Sequence, residues 1–213
     1  MPATETKSDM GKKVLEQTAV TLNEVIKQDS GKVAEIAEAC LETYKKDGQF
    51  IFMGNGGSAA NASHFSADFS KRPRWKIEGA KPICTRALTD SSESLTMWAN
   101  DSGYDEVFLQ QMMACRVSKN DTVFAFSGSG NSPNVLKAVT YAQEQGAKVV
   151  AITGFTGGKL ADVADINITV PQGPLAQLDT DFNGAVMGEY EAVTDVIMHA
   201  VIEAFRETVK TTV

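Results

Sequence analysis

The stretch Asp121–Leu136, D-T-V-F-A-F-S-G-S-G-N-S-P-N-V-L, constrains this chain more than any other. Val123–Phe126 is a short apolar run with the β-branched and aromatic content of a buried strand. Asn134–Ala138 opens an amphipathic helix. Between them lie Ser127, Gly128, Ser129, Gly130, Asn131 and Ser132, with three hydroxyls and two glycines. Ser132 reads as the N-cap and Pro133 as the first helical residue, where a missing N–H costs nothing. Such a strand, loop and helix start can bind an anion, because the first helical N–H groups are unpaired and carry partial positive charge. The glycines allow a phosphate to come close to the backbone. Ser/Gly loops also join strands to helices without binding anything, so a second loop of the same grammar matters. It is Gly54-Asn55-Gly56-Gly57-Ser58, preceded by a strand at Gln49–Met53 and followed by a helix over Ala59–Phe69. Two such loops at the carboxyl ends of parallel strands meet where open α/β sheets bind ligands. The loop at 127–132 has neither the G-K-[ST] ending of a nucleotide-binding P-loop nor a G-x-G-x-x-G fingerprint. Hydroxyls without a lysine point to a sugar phosphate rather than a nucleoside triphosphate.

The rest of the chain supports one α/β domain spanning 1–213. Apolar positions at helical spacing predict a helix over Gly11–Lys27 and a second with Val33, Ile36, Cys40 and Tyr44 on one face. A break at Asp29-Ser30-Gly31 between them makes residues 10–47 an N-terminal helical hairpin, a surface suited to oligomerisation. Further strands are predicted at Ile83–Leu88, Lys148–Thr153 and Ile166–Val170, and helices at Ser92–Ala99, Glu106–Arg116, Lys159–Val163 and Ala185–Glu207. A polar linker, Pro171–Asp181, precedes the last helix, and Lys71–Lys76 is a basic patch in a loop. Alternating strands and helices predict a three-layer α/β/α sandwich on a five-stranded parallel sheet.

Composition excludes several classes. A formal net charge of −7 argues against a nucleic-acid-binding face. No apolar run reaches membrane-spanning length and no charged-then-apolar leader is visible, so a cytoplasmic protein is expected. Cys40, Cys84 and Cys115 lack C-x-x-C spacing and read as buried free thiols in a reducing compartment.

The chain has two histidines. His64 stands four residues before Asp68, so the two share a helix face. His199 follows Glu191 by eight residues, a little over two turns, and shares a face with it. Brought together, the two ledges would form a two-His, two-carboxylate cluster suited to zinc or iron. The same groups could act as general acid and base beside a sugar carbonyl. Each ledge taken alone is equally compatible with a surface ion pair or a packed histidine. The spacing Gly128-Ser129-Gly130 is not the G-x-S-x-G elbow of a serine hydrolase.

Four segments together resemble the SIS (sugar isomerase) domain family, and within it the phosphoheptose isomerases. They are G-N-G-G-S-A-A-N-A-S-H-F at 54–65, N-D-S-G-Y at 100–104, S-G-S-G-N-S-P-N-V at 127–135 and T-G-F-T-G-G-K-L at 153–160. The resemblance implies a SIS fold, a homotetramer and an aldose–ketose isomerase acting on a phosphorylated sugar such as sedoheptulose 7-phosphate. It also implies one zinc ion per subunit and no membrane or nucleic-acid partner. Ser58, Ser127, Ser129 and Ser132 would hold the phosphate with backbone amides around Gly56, Gly57 and Gly128, while Asn55 and Asp101 would line the sugar pocket. His64, Asp68, Glu191 and His199 would hold the metal, with Asp68 as catalytic base and His199 as its acid/base partner. Three positions depart from the family pattern: Asp68 replaces a glutamate, Glu191 a glutamine, and Gly128 a hydroxyl residue. The family also contains a non-catalytic class that binds a phosphosugar or a replication-initiator protein. Loss of the metal histidines would mark that class, and both are present here. An isomerase for another phosphosugar is the further alternative.

Overall fold

The computed structural model describes residues 7–173 and 184–212. In chain order they form α1 (Lys7–Lys45), β1 (Gln49–Gly54), α2 (Gly57–Lys71), β2 (Cys84–Ala87), α3 (Ser92–Ser102) and α4 (Val107–Ala114). Then follow β3 (Thr122–Ser127), α5 (Pro133–Glu144), β4 (Lys148–Gly154), α6 (Gly158–Val163), β5 (Ile166–Val170) and α7 (Gly184–Thr212). Most of the linker predicted at 171–181 lies outside the described residues.

All five strands are parallel, in the order β2-β1-β3-β4-β5. Because crossovers in such sheets are right-handed, the chain covers opposite faces as it leaves β1 in one direction and β3 in the other. Strand residues alternate accordingly. Phe50, Phe52, Phe124, Phe126, Val150 and Ile152 are buried against α1, α2 and α7. Ile51, Met53, Val123, Ala125, Val149 and Ala151 are buried against the face that carries α4, α5 and α6. The near-continuous apolar runs of β1, β3 and β4 follow from burial on both faces. Between β1 and β3 the order reverses, and the crevice beyond their carboxyl ends is the ligand position of such sheets.

The predicted N-terminal hairpin is not formed. Lys7–Lys45 is one unbroken helix of 39 residues. The residues read as a break instead serve the edge of the sheet. Asp29 accepts the Thr169 N–H at 3.4 Å, and Lys32 donates to the Asn167 carbonyl at 2.7 Å while pairing with Asp29 at 2.9 Å. These contacts occupy backbone groups that edge strand β5 would otherwise leave open. A helix interior tolerates Gly31 at a cost of about 1 kcal/mol, less than the packing along α7 supplies. The cysteines are all free, as expected, but only Cys40 is buried. Cys115 is half-buried and Cys84 is exposed, because β2 is the other edge strand.

The two readings of residues 29–31 differ in a measurable way. An added Cβ at Gly31 meets nothing within 4 Å. Gly31→Ala should therefore stabilise the protein by about 0.5–1 kcal/mol in urea denaturation, as in any exposed helix interior. A turn glycine would give a loss of similar size.

Candidate functional site

Both small-residue loops open at the β1/β3 reversal. The first joins β1 to α2, and the second joins β3 to α5. Asn55 and Asn134 tie them together through a reciprocal amide pair, Nδ2 to Oδ1 at 2.9 Å and at 3.0 Å in return. Asn134 Oδ1 also accepts the Val135 N–H at 2.9 Å, so one side chain both satisfies a first-turn N–H of α5 and bridges the loops. Tyr104 donates its hydroxyl to Asn55 Oδ1 at 2.9 Å. Asp101, expected in the sugar pocket, is exposed, and its carboxylate accepts from Asn100 at 2.7 Å. The side chain of that turn that reaches the loops is Tyr104. Asn134 and Tyr104 both lie within the segments singled out from the sequence, but only their contacts reveal their part.

The serine loop is shaped from within. Buried Ser127 accepts the Gly130 N–H on its Oγ at 3.1 Å, and Ser132 Oγ lies 3.4 Å from it. Gly130 has φ of +63°, and a Cβ there would stand 1.8 Å from the Gly157 carbonyl oxygen, so the position admits glycine alone. Ser132 is the N-cap residue and Pro133 the first helical residue, as read from the sequence, although no side-chain cap bond forms. Ser132 Oγ instead faces Ser127. Ser129 is exposed at the tip of the loop, and Ser58 is buried at the start of α2. At Gly128, where the family has a hydroxyl residue, an added Cβ would lie 2.6 Å from the Met187 methyl and 3.4 Å from the Tyr190 ring, so a larger side chain there requires the flexible end of Met187 to move. Tyr190 is buried, donates to the Ile152 carbonyl at 2.8 Å, and is held protonated by its burial.

The second half of the site lies between α2 and α7. Ligand atoms of His64, Asp68 and His199 all fall within 4.8 Å of one another. Asp68 Oδ2 is 3.6 Å from His64 Nε2 and 3.5 Å from His199 Nε2. Zinc bonds of ~2.0–2.1 Å in a tetrahedron separate neighbouring donors by roughly 3.3–3.4 Å, so a small adjustment lets these three grip one ion. Two imidazoles and a carboxylate with an open fourth position are a catalytic type of zinc donor set. The side chains are 43%, 23% and 37% exposed, which leaves the centre accessible to a substrate.

Glu191, the fourth expected ligand, is not in this group. Its carboxylate lies over the first residue of α2, where a Cβ on Gly57 would meet it at 2.0 Å. The unpaired N–H groups and positive end of α2 favour a carboxylate there. Sequence spacing placed Glu191 and His199 on one face, but two turns of helix set them about 12 Å apart along the axis. Asp195, halfway between them, is the α7 carboxylate that reaches His64, with Oδ1 at 3.7 Å from His64 Nδ1.

The predicted basic loop is part of the site. α2 continues to Lys71 and a 3₁₀ turn covers Arg72–Arg74. Arg72 donates to Asp68 Oδ2 at 2.8 Å and to Glu203 at 2.9 Å, and the Asp68 contact holds its guanidinium firmly protonated. Lys71 and Trp75 form a cation–π contact at 4.6 Å. A separate cleft of about 460 Å³ lies at the β2 edge, lined by Ser66, Arg86, Trp98 and Cys115. Ser66 points away from the face of α2 that carries His64 and Asp68, so this cleft is not part of the centre.

Comparison with known proteins identifies the family. Residues 14–154 match the SIS domain family. The phosphoheptose isomerase of Aliarcobacter butzleri is 38% identical over 156 residues, 73% of this chain and 79% of that protein. That of Vibrio vulnificus is 38% identical over 165 residues, 76% of this chain and 84% of that protein. The solved structure of phosphoheptose isomerase from Neisseria gonorrhoeae superposes with a TM-score of 0.78 at 29% identity, covering 94% of this chain and 99% of that one. With its two loops at the sheet reversal and its histidine pair between α2 and α7, the chain belongs to the SIS domain family, in its phosphoheptose isomerase branch.

Proposed function

We propose that this protein is an aldose–ketose isomerase that converts sedoheptulose 7-phosphate to a heptose 7-phosphate, with one zinc ion per subunit, as a cytoplasmic homotetramer. The observation that carries the reading is the convergence of His64, Asp68 and His199 beside the paired loops of the sheet reversal. Curated relatives named phosphoheptose isomerase support the substrate. No helix among the described residues is long and apolar enough to cross a membrane, and the three thiols are unpaired, as in a reducing compartment.

The phosphate would rest on the serine loop, with Ser129 at its tip and the N-terminus of α5 behind it. Asp68 takes the proton from C1 of the ketose, leaving its electron pair to form the C1–C2 double bond of an enediol. The oxygen on C2 gains a proton and the oxygen on C1 gives one up; His199 would carry both exchanges on Nε2 whenever that nitrogen is not holding the ion. Asp68 then delivers its proton to C2, which yields the aldehyde at C1 with no net change in atoms or electrons. Zinc, when bound, supplies Lewis-acid polarisation of the two oxygens. Arg72 keeps the Asp68 carboxylate in place through its 2.8 Å contact.

Self-association is supported by an apolar stripe that the monomer leaves open. Leu15 is 75% and Ile26 52% exposed on α1, and Val196 48% on α7. Val14, Leu15, Ala19 and Leu22 border a groove of about 600 Å³ with Ala192. Apolar surface of this kind, continuous along two helices, fits a second copy of the chain.

Four measurements test these statements. Metal analysis with turnover of sedoheptulose 7-phosphate should give about one zinc per chain and an active enzyme. Asp68→Asn should lower kcat by at least ~100-fold while the sugar phosphate still binds. Metal-bound protein that binds the sugar without converting it, or a fully active Asp68→Asn, would refute the mechanism. Ser129→Ala should raise KM with kcat little changed, because phosphate contacts act alike on ground and transition states. A fall in kcat alone would move Ser129 out of the phosphate site. Finally, Leu15→Lys with Ile26→Lys should shift the light-scattering mass from a tetramer to a smaller species, and an unchanged mass would place the interface elsewhere.

A further inference from the structure

Asp195 has no place among the family's metal ligands named above, yet both histidines of the centre meet it. His199 Nδ1 lies 2.8 Å from the main-chain carbonyl oxygen of Asp195, one turn earlier on α7. A carbonyl oxygen only accepts, so this contact puts the proton on Nδ1 and leaves the Nε2 lone pair facing Asp68 at 3.5 Å. His64 Nδ1 faces the side chain of the same residue, with Asp195 Oδ1 at 3.7 Å. That distance is ion-pair range rather than a closed hydrogen bond. The carboxylate does not swing freely, because Asn61 on α2 donates to the same Oδ1 at 2.7 Å. Asn61 is itself buried and also reaches the Glu191 carbonyl at 3.4 Å, so the amide bolts α2 to α7 directly behind the centre.

The His64 ring therefore stands between two carboxylates, Asp195 on its Nδ1 side and Asp68 at 3.6 Å on its Nε2 side. They are not equivalent acceptors. Asp68 Oδ2 accepts from the Arg72 cation at 2.8 Å, whereas Asp195 Oδ1 accepts from the uncharged Asn61 amide at 2.7 Å. No lysine or arginine among the described residues pairs with Asp195. The proton of neutral His64 is thus drawn to Nδ1, and Nε2 is left to the cluster.

We propose that Asp195 is the positioning residue of the metal centre: its carboxylate and its carbonyl take the Nδ1 sides of His64 and His199, so that both rings present Nε2 to one ion. Outer carboxylates and carbonyls that orient ligating histidines raise metal affinity typically 10–100-fold. The inference rests on the zinc reading given above.

The side chain can be removed while the carbonyl stays, which makes His199 an internal control. In metal-free protein with both rings neutral, long-range ¹⁵N–¹H NMR correlations should show His64 and His199 as Nδ1–H tautomers. In Asp195→Ala, His64 should move toward the Nε2–H form while His199 keeps its own. Zinc affinity by chelator competition should fall about 10–100-fold, with Asp195→Asn recovering part of the loss through its amide oxygen. An unchanged His64 tautomer in Asp195→Ala overturns the proposal whatever the affinity does. A changed cobalt(II) absorption band in the variant also overturns it, by making Asp195 a ligand of the ion itself. Failure of the wild-type protein to bind zinc in the same titration would refute the metal reading instead, a result separate from either.

Discussion

The site depends on the way α2 lies against α7 over a floor of phenylalanine rings. Phe65 and Phe69 of α2 are fully buried, with Phe52, Phe124 and Phe126 of the sheet beneath them and Phe205 of α7 beside them. Phe52 and Phe124, neighbours in the β1–β3 register, stack at 4.9 Å with planes 9° apart. Phe65 lies 4.6 Å from the ring of His64 and 5.3 Å from that of His199, so both imidazoles rest on one buried aromatic. Burying one such ring is worth about 3 kcal/mol, whereas ion pairs on a half-open surface contribute about 0–1 kcal/mol each. Packing therefore sets the distance between the histidines, and their electrostatics act within a frame already fixed.

The same logic orders the loops. A parallel sheet with the order β2-β1-β3-β4-β5 has one point where neighbouring crossovers diverge, and the glycine- and serine-rich segments are the connections there. The Asn55–Asn134 pair holds them at a constant separation, and α6 braces the serine loop through the Leu160 N–H to the Gly130 carbonyl at 2.9 Å. α7 closes the arrangement by laying Met187 and Tyr190 against Gly128 and Gly154. One helix thus contributes to the loop, to the aromatic floor and to the histidine cluster. That shared scaffold joins the serine loop to the histidine cluster.

The N-terminal helix shows where local reading runs out. Asp29, Ser30 and Gly31 carry every sign of a turn, since each favours non-helical backbone in isolation. Their propensities sum to a few kcal/mol at most. Against that stand the buried face formed by Val25, Ile36, Ala37, Cys40 and Leu41, and the bonds from Asp29 and Lys32 to the exposed edge of β5. A continuous helix keeps both, and a hairpin would forfeit one. The basic segment 71–76 is similar: its charge was visible, but the pairing of Arg72 with Asp68 and Glu203 depends on the approach of α7.

By itself the sequence determined the five strands, the helices that follow them and their order, because strand runs buried on both faces and capped helix starts are written in local composition. It also determined that His64 and Asp68 share a face, since helical periodicity is a property of the backbone. Ser132 and Pro133 marked the start of α5 for the same reason. Only the tertiary structure decided which carboxylate on α7 meets His64. Glu191, Asp195 and His199 follow one another at four-residue intervals along one face, and periodicity ranks them equally. What separates them is the height at which α7 crosses α2. That height is set by the fit of aromatic side chains distant in the sequence, and it delivers Glu191 to the start of α2 and Asp195 to His64.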